Sequence, residues 1–170
     1  MFTIGHGTRS ADELVECLRE AGVATLVDVR RYPGSRRNPQ FGGPALARTL
    51  GEAGICYRHA VELGGRRSGE PGEEQFGCIR TAGFRSYAAW MRSAEWQQAL
   101  DAALSEPEPC LMCAETHWSR CHRRLISELL VVRGHDVWHL LRPGQRKQHR
   151  LSDDADARNG HLYLCGALVA

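Results

Sequence analysis

Residues 23–29 read Val-Ala-Thr-Leu-Val-Asp-Val, and this stretch decides the fold class. A nearly continuous apolar run of this length is typical of a strand that is buried on both faces of a parallel sheet. The segment before it predicts a helix, because Ser10 and Glu13 have the spacing of a capping box and Gly22 is a usual helix end. A helix followed by a doubly buried strand indicates the alternating order of an α/β protein.

The same alternation of strand and helix continues along the chain. We predict further strands over 2–4, 55–59, 110–114 and 137–141, and helices over 44–53, 84–91, 94–104 and 121–133. Residues 62–83 hold many glycines and charges and are predicted to form a long loop, either functional or mobile. The expected fold is α/β, a single compact domain with a mostly parallel sheet and helices on both faces, in a Rossmann-like three-layer arrangement. Residues 1–150 form this domain, and the tail 151–170 is expected to pack on it.

The composition is that of an ordinary globular protein. Apolar residues make up 42% of the 170 residues and charged residues 25%, and no apolar run is long enough to span a membrane. Because the first residues already read as a strand, without a signal sequence, we expect a cytoplasmic protein whose seven cysteines are reduced. Cys17 and Cys56 lie in apolar surroundings and are expected to be small core residues. Neither a zinc ribbon nor a thioredoxin-type redox pair is predicted.

Arginine is unusually frequent and is clustered. Of the 22 basic residues only Lys147 is a lysine, and four arginines fall within residues 30–37. The codon usage of a GC-rich genome can explain the number of arginines but does not explain their clustering. The planar guanidinium group suits phosphate and carboxylate oxygens, so the clusters favour an anionic partner. The pI near 8.2 is too mild to require nucleic acid.

Polar side chains follow the predicted strands at the points where the strands end. In a parallel sheet the carboxyl ends share one edge, where ligands bind, so these side chains are expected to line one cleft. They are His6 and Arg9 after the first strand, Asp28, Arg30 and Arg31 after the second, Arg58 and His59 after the third, and Cys113, Glu115, His117, Cys121, His122 and Arg123 after the fourth.

The loops after the first two strands each allow two interpretations. Gly5-His6-Gly7-Thr8-Arg9 is either a tight turn between strand and helix or a turn whose backbone N–H groups approach an anion. Asp28 with Arg30 and Arg31 is either an ion pair that orders the loop or part of a phosphate-binding group. The following Arg36-Arg37-Asn38-Pro39-Gln40-Phe41 combines cations, amides and an aromatic ring, a mixture that suits contact with a nucleotide.

Residues 113–124 carry the sharpest signal, Cys-Ala-Glu-Thr-His-Trp-Ser-Arg-Cys-His-Arg-Arg. Cations at the start of the predicted helix oppose its dipole, which is easier to understand if an anion binds there. One interpretation makes Glu115 a general acid or base beside an anion held by Arg123. A second is a metal site, although the spacing fits no standard zinc pattern; its ligands would be Cys113, Glu115, Cys121 and His122. A third makes Cys121 a thiolate activated by the helix and by His122, and the fourth is a purely structural loop.

Several motifs occur in an order that resembles one known family. They are Thr3-Ile4-Gly5-His6, Val27-Asp28-Val29-Arg30, Ser35-Arg36-Arg37-Asn38-Pro39-Gln40-Phe41, Leu63-Gly64-Gly65-Arg66, Met112-Cys113-Ala114-Glu115 and Cys121-His122-Arg123-Arg124, with His149-Arg150-Leu151-Ser152 and Gly160-His161-Leu162-Tyr163 in the tail. In this order they resemble the bacterial and archaeal domain-of-unknown-function family numbered 488. The resemblance implies a compact α/β domain with a shared polar site built from these motifs, and it implies little about the reaction. His117 is not a position of the family's motif.

The residues favour an enzyme that binds a phosphate-bearing ligand, a nucleotide or a nucleic acid, and no membrane. Glu115 is the predicted general acid or base. The groups that would carry or orient a proton are His6, Asp28 and His122. The predicted ligand-binding residues are Arg9, Arg30, Arg31, Arg36, Arg37, Asn38, Phe41, Cys113, Cys121 and Arg123.

A carboxylate beside arginines that bind an anion would suit hydrolysis at a base or a sugar, as in a glycosidase. No metal or other cofactor is favoured. Two alternatives stay open. One is a metal-dependent enzyme that uses the Cys/Glu/His loop, and the other is a nucleic-acid-binding module without catalysis.

Overall fold

The structure is a computed structural model that describes residues 1–34 and 36–170. Ser35, the first residue of the arginine-rich motif, lies outside the described residues. The helices are α1 (Ala11–Glu20), α2 (Gly43–Glu52), α3 (Ala82–Trp90), α4 (Ala94–Leu104) and α5 (Arg123–Val132). The strands are β1 (Phe2–Gly5), β2 (Thr25–Asp28), β3 (Cys56–His59), β4 (Pro109–Cys113), β5 (Trp138–Arg142), β6 (Gln145–Gln148), β7 (Ala155–Arg158), β8 (His161–Leu164) and β9 (Ala167–Leu168). Among the helices described, none has the length and apolar character that crossing a bilayer requires.

Strands β1 to β6 form one sheet in the order β3-β2-β4-β1-β5-β6. The first five are parallel and β6 is antiparallel to β5. Helices cover both faces, since α1 and α2 contribute Leu14 and Leu46 to one buried cluster, while α4 and α5 contribute Leu100 and Ile126 to another. The predicted α/β fold with three layers is therefore confirmed.

Strand β4 shows how the sheet separates the two clusters. Side chains of a strand alternate between its faces, so Cys110 packs with the α1/α2 cluster and Cys113 with the α4/α5 cluster. Their spacing is that of a CxxC pair, but the opposite orientation keeps the two thiols apart. These two cysteines therefore form no thioredoxin-type pair.

The order of the strands determines where a ligand can bind. The chain crosses from β1 to β2 in one direction and from β4 to β5 in the other, so its direction reverses around the adjacent strands β4 and β1. In open α/β sheets the crevice at such a reversal, beyond the carboxyl ends of the strands, is the usual ligand site. The loops that leave β1, β2 and β4 meet at this point.

The chain after β5 contains β-structure that the sequence pattern does not predict. Strand β6 pairs with β5, and β7, β8 and β9 form a separate antiparallel sheet. Leu162 and Leu164 of β8, and Val169 directly after β9, belong to the same buried cluster as α5. Asn159 and Gly160 have φ values of 51° and 78°, as a two-residue hairpin turn requires, so the Asn-Gly pair was an available signal.

The expectation that all seven cysteines are free is wrong. Cys78, in the loop before α3, forms a disulfide with Cys165, in the turn between β8 and β9, and their Cα atoms are 5.7 Å apart. The bond fastens the tail sheet to a loop that is distant in sequence. Cys17 is buried as expected, whereas Cys56 is exposed because β3 is an edge strand, so its assignment to the core is wrong.

A thiol titration in denaturant and chelator should count five thiols before reduction and seven after it, because five cysteines are free. Reduction should also lower the free energy of unfolding by about 2–4 kcal/mol, since the bond joins residues 87 positions apart. The Cys78→Ser variant should show a similar loss and a count of six. Seven thiols without a reductant would contradict the assignment of the disulfide.

Candidate active site

Two adjacent hollows lie at the carboxyl edge of the sheet. The inner cleft has a volume of about 270 Å³, and its floor is formed by Cys113, Cys121 and His122. The outer groove has a volume of about 540 Å³ and reaches residues 36–38. The residues that border both hollows are Arg30, Tyr32, Arg66, Ala114 and Glu115. Most of the predicted site residues therefore lie at this edge, but they do not all face the hollows.

A buried ion pair at the end of β2 supports the wall between the hollows. Asp28 is fully buried and accepts hydrogen bonds from Arg30 Nε at 2.8 Å and from the Tyr57 hydroxyl at 2.8 Å. The same guanidinium donates to the Phe41 carbonyl oxygen at 2.9 Å. Burial alone would lower the pKa of Arg30, but the bonds and the charge of Asp28 outweigh burial and raise it. This geometry supports the interpretation of Asp28 as a loop-ordering partner, and Asp28 is not open to a ligand.

His6 lies beneath the outer groove and supports Arg30. Its Nδ1 donates to the Gly7 carbonyl oxygen at 2.9 Å, which leaves Nε2 to accept from Arg30 Nη1 at 3.2 Å. Burial, together with the charge of Arg30, lowers the pKa of His6 to about 4. The ring stacks on the fully buried Phe41, with centroids 4.4 Å apart. These contacts make His6 and Phe41 supports of the loop. His6 also borders the outer groove, whereas Phe41 borders neither hollow.

The glycine-rich turn after β1 packs against the β4–α5 connection. The N–H groups of His6 and Gly7 donate to the carbonyl groups of residues 113–114, so they are not available to an anion. A Cβ on Gly5 would lie 1.8 Å from the Glu115 carbonyl oxygen, so only glycine fits here. The geometry supports the tight turn rather than the anion-binding turn.

Two of the predicted anion-binding arginines turn inward. Arg9 donates to the Leu141 carbonyl oxygen at 2.6 Å, at the end of β5. Arg123 is 1% exposed and donates to the Thr3 hydroxyl at 3.2 Å and to the Glu115 carbonyl oxygen. No carboxylate of the described residues pairs with Arg123, so its guanidinium holds the β4–α5 connection through neutral acceptors. Neither arginine borders a hollow, so the structure does not bring these two together with the arginines that do.

The floor of the inner cleft brings two cysteines and a histidine together. His122 Nε2 donates to the Val29 carbonyl oxygen at 2.9 Å, so Nδ1 faces the sulfurs of Cys121 at 3.5 Å and Cys113 at 3.8 Å. Burial alone would raise the pKa of Cys121, but the hydrogen bond with Cys113 and the nearby His122 and Arg123 lower it well below its usual range. That hydrogen bond, together with burial, raises the pKa of Cys113. Such a group can hold a soft metal ion or present a thiolate to the cleft.

Glu115 is the one carboxylate among the described residues that border the two hollows. Its side chain is exposed and makes no hydrogen bond or ion pair within the described part of the chain. It also does not join the cluster of cysteine and histidine donors, so the predicted set of four metal ligands is reduced to three. The guanidinium groups that border the hollows and have no acidic partner among the described residues are Arg31, Arg36, Arg37, Arg66 and Arg120.

A glycine pair lets the long loop between β3 and α3 form the other wall of the inner cleft. A Cβ on Gly64 would lie 2.7 Å from the Cα of Arg31, and one on Gly65 would lie 2.6 Å from His122 Nδ1. Both approaches are too close for a side chain, so packing against the site requires glycine at both positions. Arg31 also donates to the Arg66 carbonyl oxygen at 3.1 Å, which ties this wall to the loop after β2.

An exposed aromatic ring at the mouth of the cleft was not among the predicted residues. Tyr32 is 60% exposed and borders both hollows. The guanidinium of Arg31 lies 5.7 Å from the centroid of its ring. Exposed aromatic rings of this kind stack on nucleobases. The available signal was the position of Tyr32 directly after an arginine pair, in a loop rich in glycine and proline.

A chain of buried polar groups lies beneath α5. His139 Nδ1 is 2.7 Å from the Thr3 hydroxyl, and His139 Nε2 is 3.0 Å from His149 Nδ1. His149 Nε2 lies 3.5 Å from a carboxylate oxygen of the fully buried Glu128. Burial, together with the neighbouring His149 and the charge of Arg123, lowers the pKa of His139 to about 2. The histidine is therefore neutral in the folded protein.

Comparison with known proteins identifies a family but no activity. The model of a family described as a domain of unknown function, DUF488, matches residues 10–130. The resemblance that the motifs indicated is thereby confirmed. No curated protein and no solved structure matches the chain.

Lowering the pH should destabilise the protein through His139. A histidine in the unfolded chain titrates near 6.5, whereas the folded pKa is about 2, so the unfolded state binds more protons and stability falls as the pH drops below 6.5. The expected loss between pH 7.5 and pH 5 is about 2 kcal/mol from this residue. Urea unfolding of the wild type, of His139→Gln and of the exposed control His135→Gln measures it. The His139→Gln variant should lose about 2 kcal/mol less than the other two proteins, and equal losses in all three would contradict the burial of a neutral histidine.

Proposed function

Because the chain belongs to the DUF488 family, whose description names no activity, we propose from the cleft that it is an enzyme acting on a phosphate-bearing substrate, a nucleotide or a nucleic acid. The charge of the cleft carries this proposal. Five guanidinium groups border the two hollows and have no acidic partner among the described residues. Glu115 is the one carboxylate among the described residues that border the hollows. Like charges at this density repel unless an anion lies between them, and guanidinium groups bind phosphate oxygens through paired hydrogen bonds.

Loop-ordering ion pairs account for only part of the arginine cluster. Arg30 is neutralised by Asp28, with which it shares a buried ion pair. Arg31 contacts a backbone carbonyl instead, and Arg36 and Arg37 are exposed on the outer groove. Codon usage can raise the number of arginines, but it does not select these positions around one cavity. An anionic ligand explains both the positions and the missing partners.

The exposed aromatic ring favours a ligand that carries a base. Tyr32 stands between the inner cleft and the outer groove, beside Arg31. Stacking on such a ring requires a base whose face is free, as in a nucleotide or a single strand. Phe84, which lines the inner cleft, adds apolar surface beyond it. A free nucleotide or a single-stranded nucleic acid is therefore the ligand class that we propose.

The reaction that we propose is hydrolysis at the base or the sugar, with Glu115 as the general acid or base. Phosphates bound in the outer groove, beside Arg36 and Arg37, would leave the sugar and base near Glu115 and the inner cleft. A metal-dependent reaction is the second candidate. The donor cluster of cysteines and histidine on the floor of the same cleft favours it.

Replacing Arg36 and Arg37 together with glutamine should weaken the binding of a short single-stranded oligonucleotide. Each phosphate contact on a single strand contributes about 0.7 to the slope of log K against log salt, so the loss of two contacts should reduce the slope by about 1.4. Fluorescence anisotropy over a series of salt concentrations measures the slope.

The matched control is the double variant Arg48→Gln/Arg146→Gln, which removes the same charge from exposed positions on α2 and β6. Its slope should equal that of the wild type. If the two double variants have the same slope, Arg36 and Arg37 do not contact phosphates. If the wild type binds no nucleotide or oligonucleotide at low salt, the proposed ligand class is wrong.

Glu115→Gln should remove turnover without weakening binding. The loss of a negative charge leaves the affinity for an anion unchanged or raises it, while the loss of a general acid or base lowers the rate about 10²–10⁴-fold. Chromatography of a panel of nucleotides and oligonucleotides, analysed for released base or sugar, measures turnover. Glu74→Gln, which changes an exposed carboxylate outside both hollows, should behave as the wild type. Wild-type binding without turnover of any member of the panel would leave a binding module and contradict the enzymatic proposal.

A further inference from the structure

We propose that Cys113, Cys121 and His122 bind one zinc ion at the floor of the inner cleft, with a fourth coordination position that is open to the cleft. All three ligands belong to this chain, so binding of the ion does not depend on the proposed substrate. If the zinc ion is present during turnover, it would supply the Lewis acid that a metal-dependent reaction requires. The proposal rests on the positions of the donor atoms, the orientation of the imidazole and the rigidity of the elements that carry them.

The spacing of the donor atoms matches a tetrahedral zinc site. The imidazole Nδ1 of His122 lies 3.5 Å from the sulfur of Cys121 and 3.8 Å from that of Cys113, and all three atoms lie within 4.8 Å of one another. With Zn–S bonds of about 2.3 Å and Zn–N bonds of about 2.0–2.1 Å, the ligand atoms of a tetrahedral site are about 3.5–3.8 Å apart. Both nitrogen–sulfur distances fall in this range and the sulfur–sulfur distance is below 4.8 Å, so these three atoms can hold one zinc ion.

The hydrogen bond of His122 to the backbone selects the tautomer that a metal needs. Nε2 donates to the Val29 carbonyl oxygen at 2.9 Å, so the proton is on Nε2 and the lone pair of Nδ1 faces the two sulfurs. Ligating histidines commonly donate their second nitrogen to a carbonyl or a carboxylate in this way, which fixes the ring and raises its basicity. Gly65 packs over the ring and holds it in this orientation.

The ligands stand on rigid elements in buried positions. Cys113 is the last residue of β4, a central strand, and His122 directly precedes α5. The three side chains are between 3% and 7% exposed. The backbone N–H of Arg123 donates to the sulfur of Cys121 at 3.5 Å, which is the type of bond that supports a thiolate ligand. Two thiolates and a neutral imidazole balance the charge of a divalent ion.

The arrangement is that of an open site rather than a closed structural one. Three protein ligands with a free position are typical of catalytic zinc, whereas structural zinc has four. Cys110 cannot supply the fourth ligand, because it packs on the opposite face of β4. Glu115, which borders the cleft, is not part of the donor cluster. Water or a ligand in the cleft would complete the coordination.

A redox pair of Cys113 and Cys121 explains the arrangement less well. A disulfide needs only the two sulfurs, whereas here the lone pair of His122 is directed at both of them. Three convergent donors are what a metal requires. The spacing of these residues in the sequence hides the site, because the donors come from the end of a strand and the start of a helix instead of from one short loop.

Titration of the chelator-treated wild type with Co²⁺ under nitrogen, without nucleotide, tests the proposal. Sulfur-to-cobalt charge-transfer absorption and the visible bands of a tetrahedral site should saturate at one equivalent, and Zn²⁺ should displace the cobalt. Cys121→Ser and His122→Gln should each weaken Co²⁺ binding by at least about 10-fold. Cys56→Ser, the exposed control, should bind as the wild type does.

The proposal is overturned if the wild type shows no charge-transfer absorption, or if the absorption survives at full intensity in Cys113→Ser/Cys121→Ser. Should these variants fail to fold, as judged by circular dichroism, the Co²⁺ titration of the wild type alone tests the proposal.

Zinc should protect Cys113 and Cys121 from alkylation by iodoacetamide and leave Cys56 unprotected, as measured by mass spectrometry. Equal alkylation with and without zinc overturns the proposal, as does a Cys113–Cys121 disulfide in protein purified under nitrogen. Because no nucleotide is present, failure here leaves the anion-binding proposal untouched.

Discussion

The buried ion pair between Asp28 and Arg30 is the interaction on which the shape of the cleft depends. Tyr57 of β3 holds Asp28 at the end of β2, while Arg30 reaches His6 after β1 and the Phe41 carbonyl before α2. The pair thus joins strands β1, β2 and β3 to the loop that carries the exposed arginines. A buried ion pair need not add net stability, but removing one partner leaves an uncompensated buried charge, at a cost of about 3–5 kcal/mol. Because Asp28 neutralises Arg30, the charge that the cleft offers to a ligand comes from the arginines around this pair.

The order of strands and helices could be predicted because buried parallel strands are apolar runs, and residues 25–28 are indeed buried throughout. The tail could not be predicted in the same way. Strand β6 is exposed along its whole length and β7 reads Ala-Asp-Ala-Arg, so neither has the apolar content of a recognisable strand. The pairing of Cys78 with Cys165 joins segments 87 positions apart, and no pattern in the sequence specifies that contact.

The rule that ligands bind at the carboxyl ends of parallel strands places the polar residues at one edge, but it does not tell which of them face the cleft. Arg30 and Arg123 carry the same charge as Arg36, yet they are only 5% and 1% exposed. Arg30 is paired with the carboxylate of Asp28, and Arg123 donates to the Glu115 carbonyl oxygen. Such hydrogen bonds and ion pairs depend on packing between segments up to 120 positions apart, and a single sequence carries no signal for that packing. The same holds for the aromatic rings, since Phe41 is buried while Tyr32 is exposed.

In the proposed function, the arginines around the cleft bind the phosphate of a nucleotide. Arginine side-chain Nε–H signals in NMR spectra, followed during titration with a 5′-nucleotide, test it most directly, since each guanidinium reports its own contact. We expect saturable shifts only for the arginines that border the hollows and have no acidic partner among the described residues. These are Arg31, Arg36, Arg37, Arg66 and Arg120. Small shifts spread over all exposed arginines, with Arg48 on α2 moving as much as Arg36, would contradict it.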